Sequence, residues 1–138
     1  MSIVLGIDVG DVRVGLALSD EQRKVATPYK TVQKSQGNAE KEILTLIEQR
    51  GIDTLVVGLP LNAKGEKTEQ CQKVEAFCLR LQKRASITIH FVDEHLTSEA
   101  AKERLGLSGA KAQAAHKKGL IDSVAASIIL QEYLDSIR

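Results

Sequence analysis

Three carboxylates in this chain lie where an acid can do chemistry: Asp8 within a central strand, Glu94 at a later strand end and Asp122 on an apolar helix arc. Asp8 closes the stretch Ile3-Val4-Leu5-Gly6-Ile7-Asp8-Val9, at a core-type position near the end of what reads as a central strand. A carboxylate there must be paired, hydrogen-bonded or bound to a cation, because an isolated buried charge is too costly to keep. Gly6 and Gly10 flank it on the same strand face and leave space beside it. Glu94 follows the apolar run Ile87 to Val92 and shares a face with His90 and Val92, whereas Asp93 shares the face of Phe91. Adjacent strand residues point apart, so one of the two acids can join Asp8. Asp122 opens the last helical pattern, and a step of ~100° per residue puts it between Ile129 and Tyr133, beside Ala126, facing inward.

Gathered in one place, these acids would repel one another unless cations sat between them. An all-oxygen donor set suits Mg²⁺ or Mn²⁺, and such ions activate water and stabilise a leaving oxygen. Each acid also has a plainer use. Asp8 can cap the Gly10 turn or pair with Arg13, Glu94 can be solvated at its strand end, and Asp122 can complement the positive end of its helix. No CxxC, HExxH, GxSxG or Walker pattern supplies a competing centre, Ser19, Thr97 and Ser98 lack a paired base, and a lone His95 reads as a surface or packing residue. Between Lys102 and Lys118 the cations Lys102, Arg104, Lys111, Lys117 and Lys118 face one acid, Glu103. Such a run is either a solvated face or a guide for a phosphate backbone on its way to the acids.

The elements that must carry these residues follow from periodicity. Strand alternation over residues 3–9 and 12–19, joined by the Gly10-Asp11 turn, predicts a hairpin, and residues 25–32 predict a third strand that Pro28 sends to the sheet edge. Asn38 is expected to cap a helix through Ile43, Leu46 and Ile47 that Gly51 stops. A buried strand over 53–59 follows, then a helix with Cys71, Val74, Cys78 and Leu81 on one stripe, then a strand from Ile87 to Val92. Thr97 or Ser98 can cap another helix. The Gly/Ala/Ser/Lys segment from Gly106 to Gly119 reads as a mobile connection to a final helix from about Leu120 to Ile137. Helices between the later strands imply right-handed crossovers and parallel pairing, so the expected fold is α/β: a mixed five-stranded sheet with helices on both faces. Ligands of such sheets bind beyond the carboxyl ends of the strands, where these acids lie.

Composition bounds the rest. The 138 residues supply one domain, residues 1–138, and 43% hydrophobic with 27% charged residues is a globular composition. A net charge of +1 gives no overall field for nucleic acid or membrane, so any basic footprint is local. Aromatics at 3% cannot build a base-stacking platform, which leaves phosphate contacts as the handle on a nucleic acid. No apolar run reaches the ~18 residues of a bilayer span and the start lacks a secretory pattern, so no membrane partner is expected and the cytoplasm is the expected compartment. Cys71 and Cys78, seven apart on a helix, are expected to be reduced packing residues.

Gly6-Ile7-Asp8-Val9-Gly10 with Arg13, Gly15, Ala17, Ser19 and Asp20, then Gly58-Leu59-Pro60-Leu61-Asn62, Asp93-Glu94, and Ile121-Asp122-Ser123-Val124-Ala125-Ala126 together resemble the YqgF family. These are bacterial Holliday-junction-resolvase-like proteins that are also described as nucleases of precursor 16S rRNA. The likeness runs from residue 3 to about residue 134, and its weight lies in the order and spacing of motifs that are individually weak. It implies an RNase H-like fold with strand order 3-2-1-4-5 and divalent-metal hydrolysis of phosphodiester bonds, with the 5′ end of precursor 16S rRNA as the substrate. Asp8, Glu94 and Asp122 match the family's acidic constellation, as catalytic residues and ligands of Mg²⁺ or Mn²⁺. Arg13, Asn62, Lys111, Lys117 and Lys118 are the expected nucleic-acid contacts. The chain departs from its relatives at His95, where they usually carry Arg, and imidazole cannot reproduce a guanidinium fork. Its fourth strand ends in Gly58-Leu59-Pro60 without the acid of better-defined resolvases. The alternatives are a junction-resolving DNA nuclease acting on structured DNA, and a non-catalytic module that binds nucleic acid or ribosomal assembly intermediates, in either case as monomer or homodimer. An actin-like ATPase reading of the Asp-x-Gly hairpin would need two such domains around the nucleotide.

Overall fold

A computed structural model describes residues 2–94, 103 and 120–138 of the chain. Its centre is strand β1 (Val4–Val9), whose neighbours on both sides are also largely buried. β2 (Arg13–Ser19) returns antiparallel to it with Asp8 opposite Gly15 and Leu5 opposite Leu18. The turn between them closes by Gly10 N–H donating to the Arg13 carbonyl at 2.9 Å. A Cβ on Gly10 would stand 2.8 Å from that same oxygen, so the tight turn requires glycine.

β3 (Ala26–Gln33) pairs antiparallel with β2 and forms the sheet edge, as Pro28 predicted. The register shifts between Leu16 and Ala17, which face Lys30 and Pro28, so Tyr29 is the extra residue of a bulge. β4 (Thr54–Leu59) and β5 (Thr88–Asp93) add parallel on the other side of β1, and the order is β3-β2-β1-β4-β5. This is the mixed five-stranded sheet expected from periodicity, in the 3-2-1-4-5 order that the family resemblance implied.

Two helices cover one sheet face: α1 (Asn38–Arg50) and α2 (Glu69–Arg84). Leu5, Ile7, Val9, Val14, Leu16, Leu55 and Val57 meet Ile43, Leu46, Val74, Phe77, Cys78 and Leu81 there. α1 ends as expected, with Gly51 left-handed at φ 63° and its N–H on the Ile47 carbonyl. Its start differs from expectation. Gly37, left-handed at φ 71°, holds the cap position without a side-chain bond, and Asn38 is already helical after the short 3-10 turn Ser35–Gly37. α2 is capped by Thr68, whose Oγ1 accepts from Cys71 N–H at 3.4 Å. Cys71 and Cys78 are buried free thiols, and burial pushes the Cys78 thiol up to about 12.

The opposite face carries α3 (Leu120–Ser136), which lies across β1, β2, β3 and β4. Val4, Ala17 and Val56 pack against Ala126, Ile129, Leu130 and Leu134. Helix and sheet approach closely because Gly6 has no side chain. A Cβ there would fall 2.7 Å from Leu130 Cβ and 3.0 Å from the Ala126 carbonyl. Strand alternation therefore sends Asp8 to the α3 face, since it shares that side of β1 with Val4 and Gly6. Among the described residues no helix is long and apolar enough to cross a membrane.

Candidate active site

Three elements converge at the carboxyl ends of β1, β4 and β5. Asp8 is the penultimate residue of β1, and Glu94 follows β5 directly, its N–H bonded to the Leu59 carbonyl at 3.1 Å at the end of β4. Asp122 lies in the first turn of α3. All three are half-buried.

Two glycines make this convergence possible. Gly15 is the cross-strand partner of Asp8, and a Cβ on it would sit 2.0 Å from the Asp122 carbonyl oxygen and 2.9 Å from the Ser123 nitrogen. The first turn of α3 thus rests on bare β2 backbone, one strand from Asp8. Gly58, on β4, leaves the volume that the Glu94 side chain fills: a Cβ would meet Glu94 Oε2 at 2.9 Å and Ile129 Cδ1 at 2.5 Å. Both glycines belong to the motifs that resemble the family, but the contacts they make room for are visible only in the fold. The expected turn at Gly10-Asp11 would have paired Asp8 with Arg13; the turn residues are instead Asp11-Val12, inside the Gly10–Arg13 hydrogen bond, which brings Gly15 opposite Asp8.

The acids are grouped as two plus one. Asp8 and Glu94 share a side-chain hydrogen bond, so one of the two carboxyls carries the proton. Burial raises the pKa of both. For Asp8 the bond to Glu94 offsets part of that rise and the nearby Asp122 charge adds to it, while for Glu94 the bond to Asp8 and its charge push further upward. Asp122 is instead held by Arg13, Nε to Oδ2 at 3.1 Å, with side-chain exposures of 15% and 20%. The alternative pairing of Asp8 with Arg13 is therefore replaced by Arg13 with Asp122, 109 positions apart in sequence.

Among the described residues no group of three or more His, Cys, Asp or Glu side chains is closed around one ion position as the side chains lie. The donor chemistry nonetheless fits a hard divalent cation. It consists of carboxylates from three separate elements, two of them balanced by a shared proton and the third by a guanidinium.

Asn62, an expected nucleic-acid contact, is engaged within its own loop after β4. Its Oδ1 accepts from Lys64 N–H and Glu66 N–H, both at 2.9 Å, and its Nδ2 faces Glu66 Oε1 at 3.4 Å. The side chain organises the loop after β4, because an Asx oxygen substitutes for backbone acceptors in a turn. Lys111, Lys117 and Lys118, with His95, Thr97 and Ser98, lie outside the described residues.

Solved structures share the fold. The chain superposes on *T. thermophilus* RuvC, solved in complex with a Holliday junction substrate, with a TM-score of 0.55 at 16% identity, covering 99% of this chain and 96% of that one. It superposes on the Fowlpox virus resolvase, solved with substrate Holliday junction DNA, with a TM-score of 0.56 at 11% identity and 98% coverage of both chains. At these identities the likeness concerns the fold, which is the RNase H-like α/β fold of resolvases.

The family model described as RuvX, Holliday junction resolvase, matches residues 2–136, and the chain belongs to that family, also called YqgF. A *Chloroflexus aurantiacus* relative, named as a proposed pre-16S rRNA nuclease, is 42% identical over 99% of this chain and 88% of its own. A *Roseiflexus* relative of the same name is 44% identical over 98% of this chain and 95% of its own. By family the chain is a nuclease, a hydrolase acting on ester bonds, and that class implies a divalent metal.

Proposed function

We propose that this protein hydrolyses phosphodiester bonds at the 5′ end of precursor 16S rRNA, using Mg²⁺ or Mn²⁺ held by Asp8, Glu94 and Asp122. The observation that carries this reading is the convergence of three half-buried carboxylates at one sheet rim, made possible by Gly15 and Gly58. Membership of the family and the names of the 42–44% identical relatives support precursor 16S rRNA as the substrate. A divalent ion supplies Lewis acidity there, easing deprotonation of the attacking water and stabilising charge on the leaving oxygen.

The chain's own groups do the rest. Asp8 and Glu94 release their shared proton to become a doubly charged donor pair, and the bare Gly58 backbone lets Glu94 lean over β4 towards Asp8. Asp122 reaches the pair from α3 across Gly15. Arg13, with its planar fork, and Lys111, Lys117 and Lys118, on charge alone, are assigned to substrate phosphates. Asn62 is assigned to shaping the β4 loop. A precursor-rRNA substrate favours a cytoplasmic protein that meets ribosomal assembly intermediates.

A second reading, resolution of four-way DNA junctions, is favoured by the family's description. Against it stands the acid-free β4 end, Gly58-Leu59-Pro60. Purified protein incubated with precursor 16S rRNA and with a four-way DNA junction, each in Mg²⁺, Mn²⁺ or EDTA, separates the two. Metal-dependent cleavage of the rRNA alone supports the proposal. Cleavage of the junction alone supports the second reading, and metal-independent RNA binding without cleavage contradicts both.

A further inference from the structure

We infer that Arg13 is the resident counter-cation of the acid cluster, competing with a divalent ion for the Asp122 carboxylate. The inference rests on reading Asp8, Glu94 and Asp122 as metal ligands. Its basis is the Nε–Oδ2 contact of 3.1 Å between two side chains only 20% and 15% exposed. A pair so shielded is screened less by water and salt than a surface ion pair, and removing one partner leaves the other uncompensated.

The contact is set by backbone on both sides. Arg13 is fixed by the Gly10 turn and by its register with Gln33 on β3, and Asp122 by the seat of α3 on Gly15. Among the described residues, Lys34 and Lys73 near the same turn are engaged elsewhere. Lys34 Nζ donates to the Gly10 carbonyl at 3.3 Å and Lys73 faces Asp11 at 3.7 Å. Arg13 therefore supplies positive charge at the one carboxylate of the three that lies outside the Asp8–Glu94 hydrogen bond. For Asp122 to bind an ion with the other two, the guanidinium must let go.

The test is Mn²⁺ affinity, read by water-proton relaxation at neutral pH, for the wild type, Arg13→Gln and Lys34→Gln. Lys34→Gln removes an equal charge from the same rim without touching Asp122. Arg13→Gln is expected to bind Mn²⁺ roughly fivefold tighter or more, and Lys34→Gln to stay within about twofold of wild type. An Arg13→Gln affinity within about twofold of wild type overturns the inference, and so does equal tightening by Lys34→Gln, which would mark a general field effect. Loss of Mn²⁺ binding in all three proteins contradicts the metal reading itself and the inference with it.

A second measurement needs no variant. The Arg13 Nε–H resonance of wild-type protein, protected by its bond to Asp122, should shift or exchange-broaden as Mg²⁺ is added. A resonance unchanged while the signals of Asp8 and Glu94 move would overturn the inference and leave the metal reading intact.

Discussion

Asp8 is costly to keep. Its carboxyl is deprived of water, sits beside Asp122 and shares a proton with Glu94. Replacing Asp8 by Asn keeps a hydrogen-bonding group of the same shape and removes the charge. In the metal-free protein we expect Asp8→Asn to raise stability at neutral pH by about 0.5–2 kcal/mol, measured by urea unfolding. The same substitution should lower cleavage by more than about 100-fold, a loss seen when only a supporting partner of a ligand is removed. Together these outcomes separate an active-site acid from a structural one, because loss of a structural acid would lower stability. Asp8, Glu94 and Asp122 could be singled out in the sequence by their places at strand ends and a helix start, and the structure brings the three to one sheet rim. The partner of Arg13 was not legible in the sequence, because a salt bridge across 109 residues depends on how α3 seats on the sheet.

The elements were legible where one face is apolar and the other is not. Alternation in β1 assigned Leu5, Ile7 and Val9 to one side and Asp8 to the other, and the α2 stripe Cys71, Val74, Cys78 and Leu81 is buried as its spacing required. Asn38 misled because Gly37 reaches the left-handed conformation at little cost and takes the cap position instead. The two glycines of the site act on different parts of α3 and β5, and their alanine variants should behave differently. Gly15→Ala drives a methyl into backbone, 2.0 Å from the Asp122 carbonyl, so α3 must lift. We expect a loss of about 3 kcal/mol or more in urea unfolding, the upper end for overpacking. Gly58→Ala meets the mobile ends of Glu94 and Ile129. It should cost about 1–2 kcal/mol and fold, yet lose metal affinity because Glu94 is displaced.

At the scale of the whole molecule, protons and metal ions exchange roles. The folded chain binds protons at Asp8 and Glu94 more tightly than the unfolded chain does, since both folded values are raised. Their contribution to stability is complete below the unfolded carboxylate range, at about pH 4, and is lost as pH rises through the folded values. Thermal melts of metal-free protein should therefore show this contribution fading from mildly acidic to alkaline pH. If Asp8 and Glu94 hold the proposed divalent ion, the trend should reverse, because the ion would bind the pair in its ionised form. At ~100 times its dissociation constant it should add about 2.7 kcal/mol, or roughly 10 °C in melting temperature, with the gain larger at pH 8 than at pH 6. The most direct measurement is anomalous diffraction from a crystal soaked in Mn²⁺. The account predicts manganese bonded to carboxylate oxygens of Asp8, Glu94 and Asp122, with Arg13 no longer on Asp122. An empty rim at saturating Mn²⁺, with Asp8 still bonded to Glu94 and Arg13 still on Asp122, would contradict it.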